Sequence, residues 1–380
     1  MKDEFLKLMD DWEGFHSVRG APLNEVALAK ALNLIVNADG LSSHKREYLL
    51  KEAITTSDFP YLFAQILDRQ ILARYRVIVA DWRTFTKVGT VLDFNKAYRH
   101  KIYGNDEYLP LVQEKKEYPT TPMGEARYEL QVFKHGRRFD ISWESIINDA
   151  MQAFADIDKR FADAAVRTVS RDTTALFAAA AGPHTELFGV PIVDVDGQNV
   201  TNRGVLALDI TNLGTTLQLM GMQSDPNGEP VGIRGIHLVV PPSLELTARQ
   251  ILTSALQQHV NNAVAAVIPM PMTNVIPQLG VQLHVDPYLP RVDTSANRYT
   301  TWYVFADPSQ GAAMEMDFLR GHEDPEICMK ASDKVTVAGA ALGPFSGDFA
   351  SDGIEYRIRI VHGGNQLDPR FAYAQTGAGA

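Results

Sequence analysis

Apolar residues recur at helical spacing through the run 142–180, at Ile146, Ile147, Ala150, Met151, Phe154, Ile157, Phe161, Ala164, Ala165, Thr168, Val169, Leu176 and Phe177. Asp156 and Asp163 precede Arg160 and Arg167 by four residues, a spacing that supports a solvated face. No Gly or Pro interrupts the run before Gly182-Pro183, which is a stop signal. The pattern predicts one helix of roughly 55–60 Å at 1.5 Å per residue. Such a helix is longer than a small domain is wide and suits a part that reaches across a large assembly. A long helix inside a two-domain enzyme gives the same pattern.

Upstream, turn residues separate three short helical stretches, Asp3–Trp12, Asn24–Val36 and Ser43–Ile54. Two extended stretches follow, Thr86–Phe94 and Arg127–Phe133. In the second, Tyr128, Leu130 and Val132 alternate with Glu129, Gln131 and Phe133, the period of a strand with two different faces. The stretch between them is polar and carries Gly104, Pro110, Pro119, Pro122 and Gly124. The simplest fold is a long two-stranded arm with a loose tip, and such an arm needs a neighbour to pack on. Beyond the helix the pattern is mixed. Strands are expected at Ile236–Val240, Val281–Val285, Thr301–Phe305 and Ile354–Val361, and a helix from Leu244 to about Gln258 with Ser243 as its N-cap. The Gly/Ala-rich end from Thr376 is expected to fray.

Composition narrows the function. The 380 residues allow two or three domains, and their hydrophobic and charged fractions are those of an ordinary globular chain. Net charge is −10, which argues against wholesale nucleic-acid binding. Yet the segment from Arg69 to Lys101 carries eight Lys or Arg against two acids. Its arginines and aromatics suit phosphate contacts or a subunit interface, and the acidic remainder favours the interface. Cys328 is the only cysteine, so neither an intrachain disulfide nor a cysteine-based zinc site is possible. The charged start Met1-Lys2-Asp3-Glu4 lacks the apolar stretch of a secretion signal. The chain has no phosphate-binding loop, no Gly-x-Ser-x-Gly elbow and no His-Glu-x-x-His. Leu342–Gly347 is expected to be a turn. The tight His/carboxylate groupings, His284-x-Asp286 and His322-Glu323-Asp324, are expected in solvated loops. No cofactor or metal site is expected, and no membrane span.

This order of parts resembles the major capsid protein of tailed bacteriophages, with the Hong Kong phage type (Johnson) shell fold. The resemblance covers roughly residues 55–375. It is carried by Thr55-Thr56-Ser57-Asp58-Phe59-Pro60-Tyr61-Leu62-Phe63, Leu72-Ala73-Arg74-Tyr75-Arg76, Phe139-Asp140-Ile141-Ser142-Trp143-Glu144, Val239-Val240-Pro241-Pro242 and Asp368-Pro369-Arg370. It implies an α+β fold with an N-terminal arm, an extended β-hairpin loop, a long spine helix in a peripheral domain and a central α/β axial domain. The implied divisions are N-terminal helices and arm at 1–85, extended loop at 86–140, peripheral domain at 141–208, axial domain at 209–330, and return to the peripheral domain at 331–380. The first 56 residues are expected to stay in the mature shell.

The resemblance further implies a subunit that self-assembles as hexamers and pentamers into an icosahedral or prolate head. Its other partners would be a portal, scaffolding or decoration proteins, and double-stranded DNA held non-specifically in the virion. Interface candidates are Arg69, Arg74, Arg76, Trp82, Lys101 and Tyr128. Some relatives crosslink a loop lysine to a neighbour's asparagine. The candidates would be Lys96, Lys101, Lys115 or Lys116 with Asn365, but no motif fixes a pair and a non-covalent shell is expected. The alternatives are an encapsulin-like compartment shell and a cytosolic α/β enzyme.

Overall fold

The computed structural model describes residues 75, 80–103, 111–118, 120, 124–141, 157–193, 199–224, 230–259, 270–330, 336–337, 340–341 and 354–378. The helices expected within 1–56, Arg69, Arg74 and Arg76, the 342–347 turn and the stretch 142–156 lie outside them. In chain order the strands before the long helix are β1 (Lys87–Val91), β2 (Ala97–Tyr103), β3 (Gly124–Leu130) and β4 (Phe133–Ile141). Helix α1 (Ile157–Phe177) leads into short strands β5 (Ala178–Ala179), β6 (Gly182–Pro183), β7 (Pro191–Val193), β8 (Asn199–Thr201) and β9 (Arg203–Gly204). Then come α2 (Ile210–Gly221), β10 (Gly235–Val240), α3 (Glu245–Thr253), β11 (Leu256–His259), β12 (Met270–Thr273), β13 (Gln282–Val285) and α4 (Leu289–Val292). The chain finishes with β14 (Trp302–Ala306), β15 (Met314–Leu319), β16 (Glu326–Met329), β17 (Thr336–Val337), β18 (Ala340–Ala341), β19 (Ile354–Gln366) and β20 (Ala372–Gln375).

Two compact units result. The first comprises Met1–Ile78, His135–Ala165 and Asp324–Ile360, the second Val79–Lys134, Val166–Glu323 and Val361–Ala380. In the first, β16 pairs antiparallel with Tyr356–Arg359 of β19. Its core sets Ala162 and Ile358 against Phe161 and Ile327. Phe139 stacks on Phe161 at 4.7 Å and on Tyr356 at 5.1 Å between ring centres.

The second unit is built on a sheet in the order β13-β10-β14-β20-β9. Leu238 to Val240 and Trp302 to Phe305 are fully buried, as their unbroken apolar runs require of strands covered on both faces. Helix α2 packs on this sheet through Leu213, Thr216 and Met220, three or four residues apart. Asp209 caps it, its side chain accepting from the Asn212 N–H at 2.6 Å. A Cβ at Gly235 would collide with Val304, Met220 and Leu217, so only glycine lets helix and strand approach this closely. Aromatic rings fill the core beside the sheet. Phe177 meets Tyr303 edge-on at 5.0 Å, and Phe85 stacks on Phe305 at 5.2 Å. A second sheet runs β1-β15-β19 in this unit, with β1 parallel to β15 and β15 antiparallel to His362–Gln366.

Several sequence expectations change. The described helix ends at Phe177, because the chain reverses at once through the β5/β6 pair. Its 21 residues span about 31 Å. Thr86–Phe94 is not the hairpin partner of Arg127–Phe133. β1 joins β15, and the hairpin is β2 with β3, in register from Ala97↔Leu130 to Tyr103↔Gly124. A strand's partner is chosen by packing far along the chain, which local alternation cannot show. Helix α3 stops at Thr253, and Ser243 donates to the Tyr299 carbonyl at 2.5 Å rather than capping it. The C-terminal segment is not frayed through Thr376. β20 is buried in the sheet, and the Thr376 N–H reaches the Gly204 carbonyl at 3.0 Å. Among the described residues no helix is long and apolar enough to cross a membrane.

Candidate functional site

Strand β15, Met-Glu-Met-Asp-Phe-Leu, is buried at every position, including Glu315 and Asp317. Two carboxylates buried on the same face of a strand need cations. Arg99 of β2 supplies one. Its Nε and Nη2 donate to Glu315 Oε1 at 3.2 and 3.1 Å, and Nη2 donates to Asp317 Oδ1 at 3.3 Å. Lys87 of β1 donates to Glu315 Oε2 at 3.2 Å. A Cβ at Gly89, between the two basic positions, would run into both carboxylates.

The hairpin has a second anchor on the same face. Lys101 donates to Asp368 Oδ2 at 2.6 Å and sits 4.8 Å from the Phe371 ring centre. Asp368 is buried and also takes a fork from Arg370, at 2.9 and 2.7 Å. Burial pushes its carboxyl up, but Arg370 and Lys101 together outweigh that and hold it below the ordinary value. The opposite hairpin face is open. There Arg127 lies over Tyr98 at 4.5 Å, Lys96 pairs with Glu129 at 2.7 Å, and His100 meets Glu125. The hairpin is thus clamped to its own body by charge on one face and presents the other outward.

A buried histidine pair lies elsewhere in this unit. His237 Nδ1 of β10 and His284 Nε2 of β13 are 3.0 Å apart, with Thr84 Oγ1 3.5 Å from His284 Nε2 and the Phe85 ring at 5.4 Å. His284 is buried rather than solvated, because β13 lies against β10 in the core sheet. Asp286 accepts from the Thr174 hydroxyl at 2.6 Å and is likewise turned inward.

These two groups carry opposite pH dependence. Asp317 is pushed up to about 6, by burial first and Glu315 second, with Arg99 pulling against them. Its contribution to stability is full below the ordinary 3.8 and lost as pH rises through about 6. His284 is pushed down to about 4, by burial first and His237 second. Its contribution is full above the ordinary 6.5 and lost as pH falls through about 4. Melting midpoints measured between those limits should therefore diverge on mutation. Relative to wild type, Asp317→Asn should lose more stability on acidification and His284→Gln less. Parallel shifts in the two variants would refute the assignment.

Of the interface candidates, Trp82, Lys101 and Tyr128 are described. Trp82 is buried within the subunit, with the Arg83 guanidinium 5.1 Å from its ring, and its indole N–H has no partner among the described residues. Lys101 is engaged with Asp368, and Tyr128 is half-buried opposite Arg99. Of the crosslinking candidates, Lys96 pairs with Glu129, and Asn365 donates to the Glu129 carbonyl at 2.5 Å. Sequence reasoning missed Glu315, Asp317 and His237. Acid alternating with large apolar residues in Met314–Leu319 reads as a strand with one solvated face, so nothing local marked these acids as buried.

A family model described as phage capsid protein matches residues 127–375, well over half of the chain. Among solved structures, a Microbacterium phage Oxtober96 chain aligns at 10% identity and TM-score 0.43, covering 78% of this chain and 93% of that one. The capsid of cyanophage P-SCSP1u aligns at 13% identity and TM-score 0.44, covering 78% and 90%. The capsid of an empty GTA particle aligns at 10% identity and TM-score 0.43, covering 78% and 90%. Comparison with curated proteins gives no match. At those identities and scores the structural likenesses carry no weight, and membership rests on the match over residues 127–375. That match decides for a capsid subunit against the enzyme reading. The chain belongs to the phage capsid protein family: it is a virion component whose work is structural rather than catalytic.

Proposed function

We propose that copies of this chain associate as pentamers and hexamers into a closed shell around double-stranded DNA, with β2 and β3 as an extended loop that overlaps a neighbouring subunit. In this reading 1–85 form the N-terminal arm, 86–140 the extended loop, 141–208 and 331–380 the peripheral domain, and 209–330 the axial domain. Portal, scaffolding and decoration proteins complete the set of partners.

The observation that carries the reading is apolar surface along the loop. Leu92, Phe94, Leu111, Tyr118 and Phe133 are all exposed, Leu111 at 89% and Tyr118 at 80%. They flank a hairpin whose inner face is already fastened to its own body. Large apolar side chains so concentrated on one segment call for a cover, which a second copy supplies. The test is size. The purified chain should sediment as megadalton particles that appear as closed shells in negative-stain electron microscopy. A small, uniform oligomer under all assembly conditions would sink the proposal.

A further inference from the structure

Helix α1 sorts its charges. From Arg160 onward its exposed positions are Arg160, Ala164, Arg167, Arg171 and Ala175, a single stripe at three- and four-residue spacing. Among the described residues neither Arg167 nor Arg171 makes an ion pair.

In the second unit the stripe gains a neighbour. The Thr174–Asp286 hydrogen bond ties the C-terminal half of α1 to the segment that enters α4. Half-buried Tyr288 and exposed Arg291 follow in that segment. Burial pushes the Tyr288 hydroxyl up, while Arg167 and Arg291 both pull against it. Three acids of this unit are engaged. Asp172 is held by His362 at 2.8 Å, Asp286 is bonded to Thr174, and Asp293 is buried with its Oδ1 on the Ser295 N–H. Three arginines are thus exposed on this side of the unit, although the chain as a whole is acidic.

We propose that Arg167 and Arg171 on the exposed face of α1, together with exposed Arg291 of α4, form a contact surface for the phosphate backbone of double-stranded DNA. The proposal rests on the capsid reading, which supplies the DNA. Arginine matches phosphate oxygens with a fixed fork of donors. A protein partner is disfavoured because subunit interfaces are anchored by exposed aromatic or large aliphatic residues, and here the other exposed positions on this helix face, Ala164 and Ala175, are alanines. Contacts to phosphate alone carry no sequence preference. Three of them give a weak, salt-sensitive hold that leaves the duplex free to move during filling and release.

The test measures binding of a short fluorescent duplex to the unassembled full-length chain across salt concentrations. Each phosphate contact adds about 0.9 to the slope of log affinity against log salt. The Arg167→Gln/Arg171→Gln/Arg291→Gln variant should bind more weakly, with a slope shallower by about 2.7. It should still assemble, and each single substitution should account for roughly a third of the change. Lys115→Gln/Lys116→Gln, a control on exposed charge elsewhere, should keep the wild-type slope. An unchanged slope in the triple variant would overturn the proposal, as would an equal change in the lysine control. Normal DNA binding with lost assembly would mark the patch as a contact between copies and overturn it too. Because the duplex is read on the unassembled chain, failure of the wild type to form shells would count against the capsid reading alone.

Discussion

Replacing Arg99 with methionine should destabilise the fold by about 3 kcal/mol, the lower end of the range for breaking a buried ion pair. The partners left behind, Glu315 and Asp317, are both almost wholly buried. Two like charges on one strand then face each other with only Lys87 to offset them, since Lys87 reaches Glu315 at 3.2 Å. Arg99 itself is 34% exposed, and Lys87 stays in place, so the upper end of the range is not expected. The measurement is urea unfolding of the full chain. Adding Asp317→Asn to Arg99→Met should recover much of the loss, because the second change removes the orphaned charge while keeping its shape. A loss below about 0.5 kcal/mol, the level of an ordinary surface substitution, would show that the clamp does not hold the hairpin.

Replacing residues 104–123 with Asn-Gly should leave a folded chain that no longer closes shells. Tyr103 and Gly124 already face each other in register, so a two-residue turn can join them without disturbing β2 or β3. The clamp through Arg99 and Lys101 is untouched, and the melting midpoint should stay near the wild-type value. What disappears is the tip, including Leu111 and Tyr118, whose exposure calls for a neighbour. Calorimetry read beside particle sizing separates the two effects. Shells of normal size from this variant would refute the loop's role between subunits. A collapsed melting transition would instead show that the tip supports its own subunit.

The hairpin also shows where reading the chain as a string stops working. Alternation at Tyr128, Leu130 and Val132 gave the right faces, for Leu130 and Val132 are both buried and Phe133 exposed. Alternation also placed a strand at residues 86–94, where β1 is found. It assigned the wrong partner, because β1 pairs with β15, more than two hundred residues later in the chain. The apolar runs at Ile236–Val240 and Thr301–Phe305 were legible as buried strands for a related reason. Burial on both faces leaves a signature in every residue, whatever the neighbour is.

The sequence by itself determined the α+β character, the core strands, a helical stretch within 142–180 and the lack of any recognised catalytic motif. Periodicity records how a segment meets water, and each of these features is a statement about that. The tertiary structure alone decided which strand pairs with which, why buried Glu315 and Asp317 are tolerated, and that His237 lies beside His284. It also decided that Arg160, Arg167 and Arg171 share one exposed face of α1. Those are relations between residues far apart in sequence, fixed by the free energy of covering charge and apolar surface together. No local pattern carries them.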